Sequence, residues 1–168
     1  MVEKTETGPS TQVDVEVKKE TPPVTKKSGK IAVILVRGKV GLSKKVKDTL
    51  LMLNLSRKNH CVVIVDNPVN RGMIKKVKDF TTWGEITDDT FKELLSKRGQ
   101  PFQGRETDLK KKYQYNLFEH EGKKYKKYFT LSPPRKGFGR KGIKMPFKLS
   151  GGLGNRGDKI NDLIMRML

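Results

Sequence analysis

With 168 residues, the chain has room for one domain and its appendages but not for two full-sized cores. Lys and Arg number 37 against 18 Asp and Glu, a formal net charge of +19, so the counterpart of its surface is a polyanion. No apolar run is long enough to span a membrane and no basic helix shows the bulky apolar face of a membrane-surface binder. The single cysteine, Cys61, cannot form an internal disulfide, which fits a reducing compartment and not secretion.

Residues 1–30 hold 6 basic and 5 acidic groups, no aromatic side chain and no signal-peptide core. So little apolar surface cannot offset the entropy of ordering, and a flexible tail is expected. Residues 31–36 are a continuous apolar run rich in β-branched residues and bounded by Arg37 and Gly38, the pattern of a strand covered on both faces. Ser43 is placed to cap a helix in which Val46, Leu50 and Leu53 share one face, while Lys44, Lys45, Lys47 and Asp48 begin the solvent side. Residues 61–65 repeat the strand pattern and end at the turn cluster Asp66, Asn67 and Pro68. Together these elements are expected to form a strand, helix, strand unit with a right-handed crossover.

Asn70 then offers a cap to a short helix with Met73, Ile74 and Val77 inside and Lys75, Lys76 and Lys78 outside. Residues 80–86 read as a third strand, weakened by Gly84. From Thr87 the order is a cap, acids (Asp88, Asp89), apolar Phe91, Leu94 and Leu95, bases (Lys97, Arg98) and Gly99, which suits the helix dipole and a left-handed terminal residue. Residues 100–104 are turn-like and 108–116 are Lys-dense without a defined state. Residues 123–132 read as one strand, and 133–157 read as glycine, proline and cations without a packed element. Asp158 is placed to cap a terminal helix whose Ile160, Leu163, Ile164 and Met167 share a face that should dock on the body.

The segment Gly152-Leu-Gly154-Asn-Arg-Gly157 matches G-x-G-x-x-G, but it lacks the preceding strand, the following strand and the downstream acid of a dinucleotide site. A flexible connection that lets backbone amides approach phosphate is the better reading. His60 beside Cys61 has no further ligand cluster, so a strand-entry histidine and a core cysteine are expected, with no metal, no cofactor and no catalytic residue. Arg135, Lys136, Arg140, Lys141, Lys144 and Lys148 are interleaved with Gly137, Gly139 and Gly142 and with Phe138 and Phe147. Arginine forks onto phosphate, glycine lets a backbone follow a groove, and an aromatic ring can stack on an unpaired base, so this loop is expected to contact RNA. Trp83 is expected to pack in the core, with base stacking as the alternative.

The stretches Ile31-Ala-Val-Ile-Leu-Val-Arg-Gly38, Leu50-Leu-Met-Leu-Asn-Leu55, Arg57-Lys-Asn-His60, Asn70-Arg-Gly-Met-Ile-Lys-Lys-Val77 and Phe80-Thr-Thr-Trp-Gly84 resemble the L-thirty family of ribosomal proteins in its archaeal form, counterpart of the eukaryotic L-seven. Ser132-Pro-Pro-Arg-Lys-Gly137 and Gly151-Gly-Leu-Gly-Asn-Arg156, with the closing helix, are similar to that family's carboxyl-terminal extension. The resemblance covers residues 31–99 and 129–168; residues 100–128 look shorter than in most archaeal relatives. It implies an α/β (α+β) fold, a ferredoxin-like βαβαβ core with an extra helix, seated on large-subunit ribosomal RNA near the 5S RNA. The implied organisation is a tail at 1–30, a core at 31–99 and a basic extension at 100–168 packed on core and RNA. Arg37, Lys44, Lys45, Arg57, Lys58, Arg71 and Lys75 of the core, together with the loop cations and Arg156, are the expected RNA contacts. Neighbouring large-subunit proteins are expected partners, with no membrane and no small-molecule substrate, in a cytoplasmic ribosome. A free-standing basic RNA-binding regulator is the alternative, and a nucleotide-dependent enzyme built on the glycine run is a more distant one.

Overall fold

The apolar run near residue 31 becomes the central strand of a five-stranded sheet in the computed structural model, which describes residues 29–105, 107, 109, 110, 112, 117–120 and 122–168. The expected tail lies outside the described residues except for its last two positions, and so does most of the Lys-dense stretch at 108–116. Strand β1 (Lys30–Leu35) begins one residue before the apolar run. Helix α1 (Lys44–Met52), strand β2 (His60–Val65), helix α2 (Pro68–Lys76), strand β3 (Thr81–Glu85) and helix α3 (Asp88–Arg98) follow. Beyond them come strands β4 (Leu117–His120), β5 (Lys123–Lys126), β6 (Tyr128–Thr130) and β7 (Gly154–Asn155), then helix α4 (Ile160–Met167). The sheet order is β6-β2-β1-β3-β7, and β4 and β5 form a separate hairpin.

Strand alternation divides the interior in two. Ile31, Val33 and Leu35 point to one side, where they meet Leu50, Leu53 and Leu55 around α1 and Ile74 and Val77 around α2. Ala32, Ile34 and Val36 point to the other, where Phe91 and Leu94 of α3 and Ile160, Leu163, Ile164 and Met167 of α4 cover them. A strand buried on both faces must be apolar, and β1 is so from Ile31 to its end. The result is the mixed α/β, ferredoxin-like class that the resemblance implied, with its second face closed by α3 and α4.

The right-handed crossover is not found. Both neighbours of β1 run antiparallel to it, in the registers Ile34↔Cys61 and Val33↔Trp83, and the handedness rule governs parallel pairs only. Residues 123–132 are two strands and not one: β5 pairs with β4, whereas β6 pairs with β2 on the main sheet. Residues 133–157 are packed after all. Phe138 and Leu153 enter the core, and β7 runs parallel to β3. No helix among the described residues is long and apolar enough to cross a membrane.

Helix ends follow the expected chemistry unevenly. Thr87 caps α3, its hydroxyl accepting from the Thr90 amide at 3.4 Å. Gly99 ends that helix in extended conformation, not left-handed; a Cβ there would sit 2.3 Å from the Leu95 carbonyl oxygen. Asn67, not Asn70, precedes α2, with Pro68 opening it, and the Asn70 amide instead donates to the Val65 carbonyl at 2.8 Å. Ser43 stands at the start of α1 without a side-chain cap bond, and Asp158 lies in a 3-10 turn before α4 without one either. Asn161 ties α4 down instead. Its amide donates to the Glu85 carbonyl at 3.1 Å, and its oxygen accepts from the Thr87 amide at 3.1 Å. Gly84 is explained by the same docking, because a Cβ on it would meet the Gly157 carbonyl oxygen at 2.1 Å and Ile160 at 2.8 Å.

Candidate nucleic-acid interface

The cations singled out from the sequence fall into four places. Lys44 and Lys45 open α1, and Arg57 and Lys58 occupy the turn before β2; all four are exposed. Arg37 follows β1, its guanidinium held 5.0 Å over the Phe80 ring and donating to the Asp79 carbonyl at 3.2 Å. Arg71 and Lys75 lie on the outer face of α2, where Arg71 is forked onto the Asp66 carboxylate through Nε and Nη2. That pairing holds the Asp66 carboxyl below its ordinary range. Arg135, Lys136, Arg140, Lys141, Lys144 and Lys148 are all exposed along the carboxyl-terminal loop.

Arg156 is turned inward, against expectation. It is 6% exposed, with Nε donating to the Thr82 hydroxyl at 2.9 Å and Nη2 to the carbonyls of Phe138 at 2.6 Å and Gly152 at 3.2 Å. Its guanidinium carbon lies 4.5 Å from the centre of the Phe147 ring. Three oxygens on β3, the loop and the glycine run are thereby drawn to one fork, so the residue fastens the extension to the sheet. Burial, and then the nearby charge of Arg166, push its pKa down to about 10, which leaves it charged at neutral pH.

Around this pillar the chain folds a hollow of about 800 Å³ lined by Lys136, Arg140, Lys148, Arg156, Lys159 and Arg166, with no carboxylate among the lining residues. Lys159 and Arg166 were not singled out from the sequence. They lie seven positions apart along the segment that enters and forms α4, a spacing that brings both to one side; attention to the apolar face alone passed over it. Arg166 reaches from α4 to donate to the carbonyls of Arg135 and Gly137, both at 3.1 Å, which shapes the loop's first turn. Six like charges in one concavity repel each other and focus their field, and an incoming anion relieves both effects.

Two aromatic expectations change. Phe138 is buried in the core and offers no free face, and Phe147 carries Arg156 on its ring with Lys159 5.9 Å from its centre. Gly139 and Gly151 serve packing between the loop's own arms, since a Cβ on them would lie 2.5 Å from the Gly151 and 2.1 Å from the Met145 carbonyl oxygen, whereas Gly137 and Gly142 turn the chain at positive φ in open space. The G-x-G-x-x-G stretch is likewise closed: Gly152 and Leu153 are buried, and Gly154 and Asn155 form β7. His60 and Cys61 hold the places expected of them, at the start of β2. His60 stacks on Tyr128 with centroids 5.1 Å apart, and burial pushes the Cys61 thiol up to about 12, leaving it an inert core side chain.

The family described as ribosomal protein L30p/L7e matches residues 31–80, the segment from β1 to the entry of β3. The chain is 42% identical over 149 positions to the large ribosomal subunit protein uL30 of Methanopyrus kandleri, spanning 79% of this chain and all of that one. It is 44% identical over 151 positions to the uL30 of Methanococcus maripaludis (82% and 98% of the two chains) and 42% identical over 151 to that of Nanoarchaeum equitans (82% and 97%). Aligned positions outnumber the residues this chain contributes, so it is the shorter partner within the matched region. The chain belongs to the ribosomal protein L30p/L7e family.

Proposed function

We propose that the protein is a non-catalytic RNA clamp and structural constituent of the large ribosomal subunit in translation. The sheet with α1 and α2 serves as scaffold (31–99), the basic extension (100–168) grips ribosomal RNA, and the tail at 1–30 precedes them. The observation that carries this reading is the hollow lined by six cations and no acid, in a chain whose full-length relatives are large-subunit proteins. Lys136, Arg140 and Lys148 at the hollow, with Arg135, Lys141 and Lys144 beside it, take phosphates; Lys44, Lys45, Arg57, Lys58 and Lys75 add contacts on the scaffold. Among the described residues none of these side chains has an internal hydrogen bond or ion pair, so nothing need be broken when RNA arrives. Arg37 and Arg71 enter pre-oriented, each fixed by an internal partner.

Contacts of this type read backbone and shape before base identity, and their strength falls as salt rises. The family resemblance extends the proposal to a seat near the 5S RNA among neighbouring large-subunit proteins, in a cytoplasmic ribosome. Sedimentation of cell extract at moderate salt tests it. Recovery of the chain with large subunits, and its release by high salt, is the expected result; recovery only in light fractions favours a free-standing RNA-binding regulator and rejects the ribosomal reading.

A further inference from the structure

Sequence patterning placed Trp83 in the core, yet the structure leaves it half-buried at the meeting of two grooves. Its inner side packs against the cluster beneath α1 and α2. One groove, about 340 Å³, runs from the indole past Arg71 and Lys75 of α2. The other, about 400 Å³, runs from the same indole past Arg37, Lys78 and Lys144. Glu85 also lines the first groove, where Arg71 is already paired with Asp66, and Asp79 lines the second, which keeps the clear excess of positive charge. Among the described residues the indole N–H has no hydrogen-bond partner, and it is not a buried orphan, so water reaches it.

A half-buried indole between a groove that offers Lys75 and a more strongly cationic one fits a nucleotide strand that passes over it, phosphates to either side and a base in the middle. Paired bases inside an A-form helix offer no free face, so the base that lies on the ring must be unpaired. Phosphate alone would gain nothing from the ring, and an apolar protein partner would strand the flanking cations. Resting on the RNA-binding reading above, we propose that Trp83 is a stacking platform for one unpaired nucleotide of the bound RNA, its neighbouring phosphates held by Lys75 on one side and by Arg37, Lys78 and Lys144 on the other. This gives the clamp a preference that phosphate contacts do not supply: for bulged or looped RNA over uninterrupted duplex.

Trp83 is the sole tryptophan of the chain, so its emission reports on this site without any substitution. The full chain is titrated with protein-free archaeal large-subunit ribosomal RNA, following complex formation by filter binding and indole emission in parallel. The expected result is quenching in step with complex formation and loss of acrylamide access to the indole. A fully paired RNA hairpin should bind without quenching. Trp83→Leu should weaken binding to the ribosomal RNA about tenfold, and Trp83→Phe, which keeps a ring, by less. If the complex forms while emission and acrylamide access stay unchanged, the stacking proposal falls and the RNA clamp stands; if no complex forms even at low salt, both fall.

Discussion

Lys44 and Lys45 stand on the convex face of α1, each solvated on its own, whereas Lys136, Arg140, Lys148, Lys159 and Arg166 crowd around one hollow with Arg156 at its floor. The two regions carry the same kind of charge under different physics. On a convex helix, water and salt screen each lysine separately, and its neighbours add little. In a concavity walled by protein the fields sum, and the cost of holding the charges together is met by buried carbonyls around Arg156 and by exposed carbonyls and the Asp162 carboxylate around Arg166. The amount of charge is therefore a poor guide to where an anion binds; its enclosure is a better one.

That contrast breaks most strongly at α4, which belongs to the extension by sequence and to the core by packing. Leu163 is fully buried there, and Leu163→Ala should cost about 2–5 kcal/mol in urea unfolding. A loss within the range of a surface substitution would mean that α4 is only loosely docked. Next in size is Arg156→Ala, which strands two carbonyl oxygens, takes one of two partners from the Thr82 hydroxyl and should cost about 2–3 kcal/mol, with Arg156→Lys recovering only part because a point charge cannot fork. Equal stability of Arg156→Ala and the parent would return this residue to the surface.

Neutralising the hollow without touching its pillar separates affinity from stability. The triple change Lys136→Gln, Arg140→Gln and Lys148→Gln should leave the melting temperature unchanged and flatten the salt dependence of RNA binding by about 0.7–0.9 in log-log slope per lost contact. Lys44→Gln with Lys45→Gln should weaken binding less per charge removed, and a larger loss from the α1 pair would reverse the comparison. The smallest effect concerns His60, which lies where the core strand β2 meets β6 of the extension. Burial, then the charges of Arg57 and Lys39, hold its pKa below the ordinary 6.5. The unfolded chain thus takes up the proton first. Its contribution to stability is complete above about pH 6.5 and declines as the pH falls from there through the folded-state value. His60→Asn should flatten that part of the stability–pH curve, and an unchanged slope would assign it to another group.

Much of this architecture could be read from local pattern. The doubly covered β1, the capped α3 and the docking face of α4 all announce themselves within a dozen residues, because periodicity and capping are local signals. What could not be read was set by partners far away in the chain. The antiparallel seating of β2 on β1, the division of β5 from β6 and the crowding at Gly84 depend on contacts that no short window contains. Arg156 is the clearest case: an arginine bound to the Thr82 hydroxyl 74 positions away looks, in sequence, like any exposed cation. The exposed loop lysines were legible as a group, but the hollow they surround was not, since Lys159 and Arg166 close it from the segment entering α4 and from α4 itself.

The pairing of β3 with β7 also bears on how the molecule comes together. Thr82 bonds to the Gly154 carbonyl across 72 positions, and the two strands run parallel, an arrangement that closes a long loop before any of its contacts reward the closure. The hairpin, α1 and α3 can form early from near neighbours, while the far edge of the sheet must wait for this late closure. The cationic hollow is completed in the same event, so on the proposed function a partly folded chain would lack this grip on RNA, and the nucleic acid would favour the finished fold by binding it.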